Sequence, residues 1–379
     1  MIEGLTKMES ILFVLTVFSM VAFLATVIVL YKFFNLYKNT VVQNMRKIED
    51  IEGSKKDKKI VVIGGGTGQS VFLRGLKHLT KNITAIVTVA DDGGGSGALR
   101  EDLGMLPPGD IRNCLLALAN IEPTMSEVMQ YRFKEGALRG QSFGNLFLAA
   151  MTGLYGNFEN AVYRMSQIFA ITGRVLPVSL DDINLVAELE NGEIIVGESV
   201  IPKESKRYNS KIKKISLDNK KAKPLDEVIS SIKSADAIVI GPGSLYTSIL
   251  PNLLVEGVVD ALSTSKAPVI YLCNIMTQPG ETDNMDVVDH IRALIMHAGV
   301  NFIDYVIVNN EELPMGVFER YAKDGAQMVV LDHIQREKIK SFNISLREEK
   351  LIEIKSGYIR HDSELVSKVV IDICNEIRN

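Results

Sequence analysis

Two glycine-rich runs have the residue types needed to cradle a phosphate. Gly64-Gly65-Gly66-Thr67-Gly68 follows the apolar run Lys59–Ile63 and precedes a helical pattern. Gly241-Pro242-Gly243-Ser244 follows Ala237–Ile240 in the same way. Without side chains in the way, backbone N–H groups can approach an anion, and the start of the following helix adds positive potential. The first run is not a Walker loop, because no Gly-Lys-Ser/Thr follows. It also departs from the dinucleotide fingerprint. Gly64 and Gly66 fit GxG, but the third glycine falls one residue early, at Gly68, so an NAD-dependent oxidoreductase lacks its main support.

Other loops add polar chemistry. Asp91 and Asp92 stand together at the end of Ile83–Val89, before a glycine run. Such a pair can hold Mg²⁺ with a phosphate, grip a ribose hydroxyl or accept a proton. These two are the candidate catalytic and metal-binding residues if the chain is an enzyme. Pro107-Pro108-Gly109-Asp110 opens a helix whose first turn carries Arg112 and Asn113, with Asp110 placed to cap it. An arginine at a helix start opposes the macrodipole, which an anion partner would explain. Asn145 lies in a further polar loop, 140–145, and Asn274, Thr277 and Gln278 follow Pro268–Leu272. Two glycine loops together suggest a ligand with more than one polar end. The histidines form no HExxH motif, and His290 and His297 read as surface positions on one helix. Cys114, Cys273 and Cys374 are too far apart for a zinc knuckle or a disulfide framework.

The elements that must position these loops alternate. Short runs of β-branched residues at 59–63, 83–89, 237–240, 268–272, 305–308 and 328–331 are separated by helical stretches such as 111–120, 145–154, 287–298 and 364–377. That pattern predicts an α/β, doubly wound, mostly parallel sheet of the Rossmann type. Asn191-Gly192 between two strand-like runs predicts a small antiparallel hairpin insertion over 183–218.

Of the 379 residues, 46% are hydrophobic and 23% charged, enough for a large core, and the net charge of −4 argues against a nucleic-acid-coating protein. The N-terminus differs from the rest. Ser10 to Tyr31 contains no charge over 22 residues. A membrane-crossing helix needs about 20, so one transmembrane helix is expected at 11–31. Only Lys7 precedes it, whereas eight basic residues, from Lys32 to Lys59, follow. The positive-inside rule then puts a basic juxtamembrane linker, 32–58, and the α/β domain, 59–379, in the cytoplasm of a single-pass cell-membrane protein.

Seven stretches are similar to one family: IVVIGGGTG (60–68), ITAIVTVADDGG (83–94), PPGDIRNCL (107–115), GNLF (144–147), GPGSLYTSILPNLLV (241–255), CNIMTQPGET (273–282) and RHD (360–362). Together they resemble the bacterial gluconeogenesis factors (YvcK-like proteins), relatives of the 2-phospho-L-lactate transferases (CofD-like). The likeness runs from Lys59 to about Ile371. It implies a doubly wound fold, a UDP-sugar ligand such as UDP-N-acetylglucosamine, and a regulatory role in carbon metabolism, cell shape and envelope synthesis. Such a regulator would act through protein partners, with homo-oligomers as a further expectation. Carried over by position, the ligand would touch Gly64, Gly65, Gly66, Thr67, Gly68, Gly241, Gly243 and Ser244. Tyr321 and Arg360 resemble further contact positions. The alternative is a Mg²⁺-dependent phospholactyl-type transferase. Two positions depart from the family pattern: Gly95 stands where a serine is usual, and Gln141 where a histidine is common. Each removes chemistry a transferase could use.

Overall fold

The computed structural model describes residues 57–376 apart from 122, 313 and 356. The expected transmembrane helix, and the linker up to residue 56, lie outside the described residues. Among the described residues no single helix is long and apolar enough to cross a membrane. Lys58, the last residue of the expected linker, is buried, and its carbonyl accepts from Thr80 Oγ1 (2.6 Å).

Seven strands form one parallel sheet. They are β1 (Ile60–Gly64), β2 (Ile83–Val87), β3 (Arg174–Pro177), β7 (Ala237–Ile240), β8 (Val269–Leu272), β9 (Tyr305–Asn309) and β10 (Ser345–Glu349), in the order β10-β9-β8-β7-β1-β2-β3. Every residue of β1, β2, β7 and β8 is buried. Successive side chains point to opposite faces, so continuous burial means that both faces are covered. This is why these strands read as unbroken apolar runs.

Between β3 and β7 the chain makes a separate three-stranded antiparallel sheet of β4 (Leu185–Leu189), β5 (Ile194–Val196) and β6 (Ile212–Leu217), in the order β5-β4-β6. Asn191-Gly192 turns β4 into β5, and Gly192 sits at φ +91° as that turn requires. The sheet is larger than a hairpin: the helix Ile201–Tyr208 leads to β6, which pairs on the other side of β4. A last hairpin, β11 (Ile352–Lys355) and β12 (Tyr358–His361), precedes the closing helix Ser363–Glu376.

The run Met328–Leu331 is not a strand. It makes one isolated bridge, Met276 to Met328. His290, read as a surface residue, is fully buried, and its Nδ1 lies 2.7 Å from the carbonyl of Asp286. His297 Nε2 accepts from the Ile215 N–H (2.9 Å), joining the helix Val287–Ala298 to the small sheet.

The sheet order reverses direction at one place. From β1 the chain moves outward through β2 to β3, and later returns to β7 on the other side of β1 before continuing to β10. In open parallel sheets, ligands bind at the carboxyl ends of the strands flanking such a switch point. The two glycine loops leave β1 and β7, the two strands that meet there.

Candidate functional site

The first loop runs from β1 into the helix Gly66–Leu76. Gly66 has φ +68°, a left-handed conformation natural for glycine. Gly68 is glycine for a different reason. A Cβ there would lie 2.9 Å from the Pro242 carbonyl oxygen, so the backbones of the two loops are in close approach. Buried amides brace the junction. Gln69 Nε2 donates to the carbonyls of Val62 and Ile86 (3.0 Å each), tying β1 to β2. Asn252 Nδ2 donates to Gly64 (2.9 Å) and Ser248 (2.8 Å).

The second loop leaves β7 through a cis Gly241–Pro242 bond and enters a π-helical turn, Leu245–Ile249. The segment after β8 holds it from the other side. Asn274 Nδ2 donates to the Gly243 carbonyl (2.9 Å), and Gln278 Nε2 to Ser244 Oγ (2.6 Å). Thr277 is buried and exchanges two backbone-anchored bonds with Gln327.

These loops line one cavity of about 500 Å³. Of the residues expected at a ligand, it gathers Gly65, Gly66, Thr67, Gly68, Gly243, Ser244, Asn274, Thr277, Gln278, Tyr321 and Arg360. Tyr321, on the helix Met315–Lys323, accepts through its hydroxyl from the Ile359 N–H (2.8 Å) and so supports β12. Arg360 leans over the Tyr358 ring, 5.6 Å from its centroid, and has no ion-pair partner among the described residues. Beside it, His361 is buried, with Nε2 3.1 Å from the Cys273 carbonyl. Burial pushes its pKa down to about 4, so it is neutral at pH 7. Arg360 is thus a cation without an ion-pair partner at the wall of a cavity whose lining includes both glycine loops and the exposed Asp324.

Gly64 and Gly241 are not among the cavity-lining residues; they sit at the strand ends behind it. Arg112, Asn113 and Asn145 are elsewhere and bind one another. Arg112 donates to Asn145 Oδ1 (2.5 Å), to Asn113 Oδ1 (2.8 Å) and to Ser142 Oγ. The buried guanidinium is therefore supported by neutral oxygens, with Asp110 and Asp91 as its nearby negative charges.

Asp91 and Asp92 also lie outside the cavity lining. Asp91 Oδ1 accepts from Gly93 N (2.9 Å), and Asp92 Oδ1 from Ser199 N (2.8 Å) in the small-sheet insertion. The adjacent carboxylates thus turn to different partners. Among the described residues no group of three or more His, Cys, Asp or Glu side chains is arranged to hold a metal ion. Two carboxylates alone do not form a closed metal cage; Mg²⁺ would need oxygens of a bound phosphate beside them.

Three acids that the sequence did not single out for chemistry join Asp91 and Asp92. Asp110 does not cap its own helix, Gly109–Leu118. It reaches across and accepts from Gly66 N (2.6 Å), at the start of the helix that follows the first glycine loop. Burial, then Asp91, pushes Asp110 up to about 6, against the bond from Gly66 and the charge of Arg112. Glu198 rises to about 8 through burial and the charges of Asp91, Glu281, Asp110 and Asp92. Glu281, buried beside Thr247, rises to about 7. No spacing rule links these acids, because the fold brings them together from distant segments. The buried Cys273, at the end of β8, has its thiol pushed up to about 12 by burial, which makes it a poor nucleophile.

The chain's relatives agree with this architecture. The family model described as 2-phospho-L-lactate transferase CofD matches residues 60–352. A relative from Thermoanaerobacterium thermosulfurigenes, which carries the name gluconeogenesis factor provisionally, is 56% identical over 315 residues, covering 83% of this chain and 96% of that one. The gluconeogenesis factor of Bacillus subtilis is 46% identical over 319 residues, covering 84% and 98%. A crystal structure of a Bacillus halodurans protein superposes with a TM-score of 0.80 at 45% identity, covering 83% of this chain and all of that one. The chain belongs to the gluconeogenesis factor family and carries that family's CofD-like domain.

Proposed function

We propose that this protein binds a nucleotide sugar, with UDP-N-acetylglucosamine as the type, and acts as a regulator of carbon metabolism, cell shape and envelope synthesis. One observation carries the reading. Two backbone loops meet at the switch point of the sheet and enclose a cavity that also has an unpaired arginine, Arg360. Backbone N–H groups suit a diphosphate, and a guanidinium suits its oxygens in a fork geometry. The volume falls in the range of small-molecule sites. Titration calorimetry with UDP-N-acetylglucosamine is the test. Arg360→Ala should weaken binding by roughly 10- to 100-fold, the loss expected for one charge-assisted hydrogen bond. No measurable heat with the wild type would end the proposal.

The acidic group beside the first loop supports a second reading, a phospholactyl-type transferase. In it, Asp91 and Asp92 would hold Mg²⁺ and a raised carboxyl would take a proton. The different partners of the two aspartates favour the regulator. Mass spectrometry after long incubation with Mg²⁺ and UDP-N-acetylglucosamine should return the sugar nucleotide unchanged. Protein-dependent turnover would promote the enzyme.

The regulator reading includes a membrane anchor at 11–31, with the α/β domain in the cytoplasm, and partners among envelope or metabolic proteins. Its support is the uncharged run and the basic residues after it. A cysteine placed at Ser54 should resist an impermeant thiol reagent in intact cells. Labelling from outside would reverse the topology.

A further inference from the structure

A second cavity, of about 250 Å³, opens at the other end of the sheet, where β1, β2 and β3 begin. Five strand residues, at roughly 3.3 Å each, separate it from the glycine loops. Its lining includes Lys59, Lys81 and Arg174 and the hydroxyl residues Thr84, Ser231 and Ser234, with no carboxylate. The three cations come from three separate segments, so the concentration of charge is made by the fold and not by a basic run in sequence.

Arg174 is held in place. Its Nε donates to Thr84 Oγ1 (2.9 Å) and its Nη2 to Ser231 Oγ (2.7 Å). Both partners are buried and neutral, so the fork is oriented while its charge is left uncompensated. None of the three cations forms an ion pair among the described residues. Two acids lie nearby without lining the cavity. Asp57 accepts from the Lys81 N–H, and Asp236 accepts from the Lys59 N–H and makes a further contact. The C-terminal end of the helix Asp226–Ser234 opposes an anion with about half a charge, so with these two carboxylates counted against the three cations the surroundings stay positive by only about half a charge, and it is the three cations that face the cavity.

From this arrangement we infer a second binding site, for a phosphate-type oxyanion, built from Arg174, Lys59 and Lys81 at the amino ends of β1–β3. Arg174 supplies the oriented fork and the lysines supply charge from either side, while the hydroxyls of Ser231 and Ser234 are committed to the carbonyls of Glu227 and Ser231. The space admits a phosphoryl group with a small substituent. The site stands apart from the glycine-loop cavity and does not depend on what binds there.

The test uses the full chain in mild detergent, titrated calorimetrically with inorganic phosphate. Phosphate also suits the glycine loops, so variants locate the event. Lys59→Glu combined with Lys81→Glu changes two exposed side chains and should weaken phosphate binding by at least about tenfold without lowering Tm. Arg174→Lys, which keeps the charge and loses the fork, should fall between the two. Gly68→Val, at the far end of the sheet, should leave the event intact. Unchanged phosphate affinity in the double-lysine variant overturns the proposal. So does loss of the event in Gly68→Val alone. Water-soluble dihexanoyl lipids separate the sources. Displacement of phosphate by the phosphatidylglycerol form but not the phosphatidylcholine form assigns a lipid headgroup, and displacement by neither assigns a soluble phosphate ester. Either result upholds the oxyanion site. Equal displacement by both would mean that acyl chains bind there, and would overturn it.

Discussion

The two sides of the first glycine loop are built on opposite electrostatic plans. On one side, the two glycine loops, amides and the unpaired Arg360 line a cavity without a buried acid. On the other, Asp91, Asp92, Asp110, Glu198 and Glu281 crowd together, and three of them are raised to between about 6 and about 8. The sides meet at Gly66, whose N–H is taken by Asp110. The positive end of the helix Gly66–Leu76 therefore serves an internal carboxylate as well as the cavity. The difference shows how one helix start can favour an anion on its open side while its closed side accumulates acids. Those acids persist because burial and mutual repulsion keep part of the group protonated, not because cations neutralise each one.

The largest expected effect comes from breaking the cavity side alone. At Gly66 an added Cβ has room, with Ser248 Oγ 3.5 Å away, and the strain would come from the φ of +68°. At Gly68 the Cβ would press on the Pro242 backbone, which cannot swing aside as a flexible side chain could. Gly68→Val should therefore separate the two loops. UDP-N-acetylglucosamine binding should fall by about 100-fold or more, with a stability loss of roughly 1–3 kcal/mol as for other overpacked sites. Calorimetry and thermal denaturation measure both. Binding within about threefold of wild type would mean that the loops act separately.

How much of this was legible in the sequence depends on where each element sits. β1, β2, β7, β8 and β9 announced themselves because central parallel strands are buried on both faces. β10 did not. Ser345–Glu349 is an edge strand, only partly buried, so its sequence carries no apolar run. β3 is only four residues long and ends in Pro177, also at an edge. Met328–Leu331 misled because an apolar run can touch the segment after a strand through a single bridge without joining the ladder: Val329 is buried, but Val330 is exposed. The glycine loops were readable because glycine next to a strand has few other uses. Asp110 was not, because it acts 44 positions away, at Gly66. Glu198 arrives with the small sheet, whose Ser199 N–H meets Asp92 across 107 positions.

The acidic side makes a smaller and pH-dependent prediction. Glu198 has a folded pKa of about 8, above its ordinary 4.5. Below pH 4.5 it is protonated in both folded and unfolded chains, and the fold bears no penalty. As pH rises toward 8 the unfolded chain releases the proton and the folded one retains it, so stability falls across that window. Glu198→Gln removes the titration. It should stabilise the protein by about 1–3 kcal/mol at pH 8.5 and change little at pH 4. Urea unfolding at the two pH values is the measurement. An equal effect at both would show that Glu198 acts through packing rather than charge.

The smallest effect concerns the two departures from the family pattern, which prove to be neighbours. A Cβ at Gly95 would lie 2.7 Å from Gln141 Oε1, and that oxygen is buried without a hydrogen-bond partner. The glycine and the glutamine are therefore one local solution: the longer side chain at 141 fills the space that a residue at 95 would use. Gly95→Ser should be nearly neutral, within about 1 kcal/mol. Crowding by the new Cβ would be offset when the far end of Gln141 shifts and the serine hydroxyl donates to its oxygen, a bond of about 1 kcal/mol. If the positions are coupled, Gln141→Ala should change the cost of Gly95→Ser by at least about 0.5 kcal/mol in a double-mutant cycle. Strict additivity in thermal unfolding would separate them. Restoring the serine leaves Asp91, Asp92 and their partners in place, so it should not create turnover of UDP-N-acetylglucosamine. Appearance of turnover in Gly95→Ser would mean that a single hydroxyl divides regulator from transferase, and that the acidic side is a working centre held silent by one residue.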